Sequence, residues 1–226
     1  MKKAFVSIAV IVSTIFLSLS LGTNFAIGAE KMMEKGKSMT KEGEKRTDPA
    51  VDLRMAMRKL WEDHITWTRN YIISALAGLE DAGKVAERLL RNQDDIGDAI
   101  TPIYGDEAGK KLASLLRDHI LVATEVVKAA KMGNDEDLTN ANKKWHANAD
   151  DIAVFLSGAN PNWPKQVLVD MLYKHLKYTT GEVVSRLKKD WAADIDYYDK
   201  GHVYMLMFAD ALTDGIVKQF PDKFKK

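Results

Sequence analysis

The 226 residues contain no cysteine. Its absence excludes disulfides, thiolate metal ligands, cysteine nucleophiles, a lipoprotein anchor and the C-x-x-C-H attachment of covalent haem. Proline is scarce as well, at Pro49, Pro102, Pro161, Pro164 and Pro221. Each falls where a helical pattern begins or stops, so long uninterrupted helices are open to the chain. No stretch of useful length alternates apolar with polar residues, which leaves no half-buried strand to place. A phosphate-binding glycine loop, a G-x-S-x-G elbow, an H-E-x-x-H pair and the Glu-x-x-His pairs of di-iron bundles are all missing, so nucleotide binding, serine hydrolysis and the familiar helical metal sites have no local support. Neither sign of charge dominates. The formal net charge is +1, or −1 once Lys2 and Lys3 are subtracted (1 − 2), which predicts no nucleic-acid partner and no anionic membrane surface.

The chain divides into three stretches. Residues 1–29 predict a secretory signal: Lys2 and Lys3 precede an apolar run from Ala4 to Leu21, and Ala26-Ile27-Gly28-Ala29 offers small residues for cleavage. The expected location is therefore secreted or extracytoplasmic, in the cell envelope, with anchoring as the alternative should the apolar run stay uncleaved. Residues 30–48, dense in charge and poor in branched apolar side chains, predict a disordered linker. Residues 49–222 predict one all-α domain.

Within that domain, apolar residues recur at steps of three and four. Asp48-Pro49 predicts the start of a first helix reaching about Leu79, and a second, carrying Val85, Leu89, Asn92, Ile96 and Ile100, is expected to stop at Pro102 and Gly105. A third runs from Asp106 to Gly133, and a fourth from about Leu138 to Gly158. After Pro161 and Pro164 come a fifth and a sixth, the latter ending near Pro221. Short connections imply antiparallel neighbours, hence a helical bundle of three αα-hairpins.

The hairpins read as an internal repeat of about 56 residues. His64, His119 and His175 are 55 and 56 residues apart, and N-x-D-D-I occurs at Asn92 to Ile96 and again at Asn148 to Ile152. Asn92, Asn148 and His202 follow their histidines by 28, 29 and 27 residues. The third hairpin is the outlier, with histidine in place of asparagine. All four histidines fall on apolar stripes, where a polar side chain needs a partner. Neutral imidazole is a frequent ligand of zinc, copper and iron, and bundles build such sites from facing helices. The expected site is therefore a transition-metal centre (Zn, Fe or Cu) of His64, His119, His175 and His202. Glu182, seven residues beyond His175, would join them. Asn92, Asn148, Asp94 and Asp150 would support the site by orienting imidazoles. Haem held by two histidines is a further option. The opposing expectation is a non-enzymatic structural or interaction module whose histidines each make a structural hydrogen bond, for example His119 to Asn148. Acid–base catalysis by histidine has no visible nucleophile beside it.

The segments Leu60-Trp61-Glu62-Asp63-His64-Ile65-Thr66-Trp67-Thr68-Arg69, Arg88-Leu89-Leu90-Arg91-Asn92, Asn148-Ala149-Asp150-Asp151-Ile152 and the terminal Gly215-Ile216-Val217-Lys218-Gln219-Phe220-Pro221 carry a resemblance. The chain resembles a group of small all-helical bacterial proteins that carry mutually inconsistent names, glycosyltransferase and acetylglutamate kinase among them. The similarity spans Leu60 to Pro221. It implies an all-α fold and brings no catalytic residue, and the parallel-sheet folds those enzyme names suggest have no counterpart in this helical pattern.

Overall fold

The computed structural model describes residues 48–225; the expected signal and, Asp48 apart, the expected linker lie outside the described residues. Six long helices follow one another: α1 (Pro49–Ala77), α2 (Ala82–Tyr104), α3 (Asp106–Met132), α4 (Asp135–Ala159), α5 (Lys165–Leu187) and α6 (Trp191–Gln219), with a 3-10 turn at Pro221–Phe224. Among the described residues there is no strand, and no helix is long and apolar enough to cross a membrane. The all-α expectation holds.

Local chemistry sets the helix ends. The Asp48 carboxylate accepts from the Ala50 N–H at 3.0 Å, with Pro49 in the first turn. Asn134 and Asp190 cap α4 and α6 in the same way, accepting from Asp137 and Ala193. Gly78, at φ 70°, closes α1 two residues short of Leu79, because its left-handed turn brings its N–H onto the last carbonyls. Pro102 does not stop α2, which continues to Tyr104. The proline withholds one N–H in an outward last turn, where Asp98 is exposed, and Gly105 still donates to the Thr101 carbonyl at 2.9 Å.

Each helix packs on the next, and α6 returns against α1 to close a ring. Helices α1, α3 and α5 also touch one another. Their buried residues fall in matching layers. Met57, Leu112 and Leu168 lie seven positions before the three histidines, and Trp61, Leu116 and Leu172 three before; all six belong to the main core. Eight positions after the histidines, Ile72, Val127 and Val183 form a second apolar cluster. The histidine layer thus lies between two apolar ones.

Candidate metal centre

His64 on α1, His119 on α3 and His175 on α5 meet in that middle layer. Each is 2–3% exposed. The His64 and His175 rings have centroids 5.5 Å apart, and His119 and His175 lie 6.0 Å apart, nearly stacked. All three line one cavity with room of about 20 Å³ for the centres of water-sized spheres. That is space for about one water or a small ion. Trp145 closes one side, while Tyr71, Thr124 and Thr180 stand at the less buried rim. Thr68 and Thr179, one turn beyond His64 and His175, turn their hydroxyls back onto the histidine carbonyls at 2.7 and 3.1 Å. Among the described residues, no carboxylate, lysine or arginine lines the cavity.

The three imidazoles differ in what holds them. His119 is fully bonded: Nδ1 lies 2.7 Å from Asn148 Oδ1, and the Trp145 indole N–H donates to Nε2 at 3.0 Å. Indole nitrogen can only donate, so Nε2 carries the lone pair and Nδ1 the proton, which it gives to Asn148. Asn148 in turn donates to the Leu115 carbonyl, four residues before His119, at 3.0 Å. Asn92 makes the like bond to Leu60, four residues before His64, also at 3.0 Å. There the likeness stops. The Gln93 amide donates to Asn92 Oδ1 at 3.1 Å, so the Asn92 oxygen is occupied by a neighbour that the second hairpin replaces with Ala149. His64 Nδ1 and Gln93 Oε1 are both buried without completing a hydrogen bond, and so is His175 Nδ1.

Burial keeps all three rings neutral. It lowers the His64 pKa to about 3, with repulsion from His119 adding to the effect and the nearby Gln93 side chain opposing it. The same burial lowers His119 to about 4 against the Asn148 hydrogen bond. His175 is pushed well below 6.5 by burial and by the other two imidazoles. Neutral rings are the ligand form.

The other expected members stand elsewhere. His202 is part-exposed on α6, with Nε2 3.3 Å from Glu62 Oε1, and does not line the cavity. The third hairpin separates its two histidines by 27 residues rather than 28 or 29, and each residue turns a helix by about 100°, enough to swing the ring away. Glu182 is also absent from the lining. Its neighbour Val183 lines the cavity, while the Glu182 carboxylate accepts from Arg69 Nη1 at 2.8 Å. Asp94 pairs with Arg117 at 2.8 Å and Asp150 accepts from the Tyr173 hydroxyl at 3.1 Å, so both tie neighbouring helices and orient no imidazole.

Beside the cavity, α1, α5 and α6 are joined by a buried ionic group. Arg69 bonds both Asp194 oxygens and Glu182, and Arg186 bonds Asp194 at 2.8 Å. Burial raises the Asp194 carboxyl, but the two arginines lower it further and hold it below the usual range. Glu182 shares a single arginine nitrogen with Asp194, so burial prevails over Arg69 and lifts it to about 7.

Sequence reasoning named Asn148 as a partner of His119 but missed Gln93 and the bond from Trp145 to His119. The spacing held a signal for both: Trp145 lies one turn before Asn148, and Gln93 is the variable position of N-x-D-D-I. The long-range pairing of Arg69 with Asp194 left no mark in any local pattern. Among the described residues, no group of three or more His, Asp or Glu side chains is placed to hold a metal ion. With metal–nitrogen bonds of about 2.0–2.1 Å, two imidazoles sharing one ion have centroids roughly 5–6.5 Å apart, a range that contains 5.5 and 6.0 Å.

In comparison with known proteins, the chain matches no family model, no curated protein and no solved structure.

Proposed function

We propose that the domain is a small metal-binding protein of the cell envelope, exported by its N-terminal segment, whose repeated hairpins each contribute one imidazole to a single transition-metal ion. The observation that carries this reading is the pair His64 and His175: two neutral buried rings 5.5 Å apart on a small cavity, with His175 Nδ1 unpaired and His64 Nδ1 left only the Gln93 side chain as a partner. An unpaired buried polar atom costs about 1–3 kcal/mol, and an ion would offset that cost. His119 is the third ligand, already oriented through Asn148, and reaches the ion once Trp145 releases Nε2. The space favours an ion over haem, whose macrocycle exceeds it many times over. Neither His202 nor Glu182 belongs to this ligand set.

Metal analysis of full-length protein expressed and purified without an affinity tag tests the reading. About one zinc, iron or copper per chain is expected, either as isolated or after addition. Loss of that ion in His64→Ala and His175→Ala would support it; the absence of any stoichiometric ion in the unsubstituted protein would end it.

One observation favours a second reading. His119 has both ring nitrogens satisfied within the protein and joins α3 to α4 much as a structural histidine would. In a structural or interaction module, His119→Ala would lower the melting temperature and leave ligand content unchanged.

A further inference from the structure

Resting on the metal reading above, we propose that the ion this chamber selects is monovalent copper, Cu(I), in preference to a divalent ion. The argument is one of charge and ligand number. No anionic side chain lines the cavity, and the chain has no cysteine to supply a thiolate. The nearest candidates on the adjoining elements, Glu182 and Asp194, are committed to Arg69 and Arg186. The cost of moving an ion from water into a low-dielectric interior grows with the square of its charge, so a divalent ion here carries roughly four times the desolvation cost of a monovalent one. Neutral imidazoles return coordinate-bond and dipole energy but no countercharge.

Ligand number points the same way. Structural zinc takes four ligands, and catalytic zinc takes three with a water in the fourth position. This layer offers three imidazoles, one of them engaged by Trp145, in a space of about 20 Å³. A closed-shell monovalent ion is content with two or three nitrogen ligands. His64 and His175 supply the first two and His119 the third. The apolar layer formed by Ile72, Val127 and Val183 shields the site on one side from water, which Cu(I) does not require as a ligand.

The test is a pair of titrations on the untagged full-length protein under anaerobic, reducing conditions. Cu(I) is followed by competition with bicinchoninate and Zn(II) by competition with a fluorescent chelator. The expected result is one Cu(I) per chain, bound at least about a hundredfold more tightly than Zn(II), with an X-ray absorption spectrum showing two or three nitrogen neighbours and no sulfur. His175→Ala should weaken Cu(I) by a comparable factor while His202→Ala leaves it unchanged; the spectrum of the unsubstituted protein serves if His175→Ala fails to fold. Zn(II) or Fe(II) binding as tightly as Cu(I) would overturn this inference and leave the metal reading intact. Cu(I) bound through sulfur, or indifferent to His64→Ala and His175→Ala, would place copper elsewhere and overturn it too. No binding of any ion would end both.

Discussion

Each buried imidazole is a stored sensitivity to acid. His119 is held at about 4 in the folded protein against 6.5 for the free side chain, so the folded state binds its proton less readily than the unfolded one. The stability it contributes is complete above pH 6.5 and is lost as pH falls towards 4, to a total of about 3 kcal/mol for a shift of this size. His64, at about 3, acts in the same direction over a longer window. The metal-free protein should therefore show a melting temperature that drops steeply from pH 6.5 to 4 in calorimetry, and His64→Leu should flatten that drop. An equally steep acid limb in His64→Leu would contradict the assignment. His119→Ala goes further, stranding the Asn148 oxygen and the Trp145 N–H in the interior. A loss of about 3 kcal/mol is expected, measured by urea unfolding at pH 7.5.

At the scale of helices, close approach and buried charge set the tolerances. α2 and α3 cross where two glycines face each other: a Cβ on Gly97 would lie 2.5 Å from the Gly109 carbonyl and 2.7 Å from the Ala113 methyl. Gly97→Val should cost about 1–3 kcal/mol, or roughly 3–10 °C in melting temperature. Gly83→Ala on the same helix meets nothing within 4 Å and should be neutral or slightly stabilising. The ionic group joining α1, α5 and α6 has its own pH signature. Glu182 is raised from 4.5 to about 7, chiefly by burial, so its contribution is present below pH 4.5 and fades as pH climbs to about 7. Glu182→Gln keeps an acceptor for Arg69 without a charge, and at pH 8 it should be no less stable than the unsubstituted protein. A loss there of more than about 2 kcal/mol would show that the carboxylate is needed in its charged form.

For the molecule as a whole, the three first helices of the hairpins form a frame whose layers are fixed from below and above: Trp61, Leu116 and Leu172 on one side, Ile72, Val127 and Val183 on the other. An ion held by all three helices would tie that frame together, and binding confined to the folded state raises its stability by mass action. At a hundred times the dissociation constant the gain is about 2.7 kcal/mol. Saturating metal should raise the melting temperature by roughly 5–10 °C for a domain of this size, with no such rise in the double variant His64→Ala, His175→Ala. An equal rise in that variant would locate the ion outside the histidine layer.

The amino-acid sequence by itself determined the helices and their approximate limits. It could do so because the spacing of apolar residues and the capping of helix ends are local. Only the tertiary structure decided which partners the candidate site residues keep. His202 fell outside because a change of one or two residues between helices turns a side chain by more than a quarter of a turn. Glu182 went to Arg69 because an arginine 113 residues away met it across the fold, as only the packing of α1 on α5 could bring about. Asn92 and Asn148, alike in sequence, part ways because Gln93 takes the oxygen that in the second hairpin holds His119. Hydrogen-bond partners are chosen among neighbours in space, and a single adjacent side chain settles the choice.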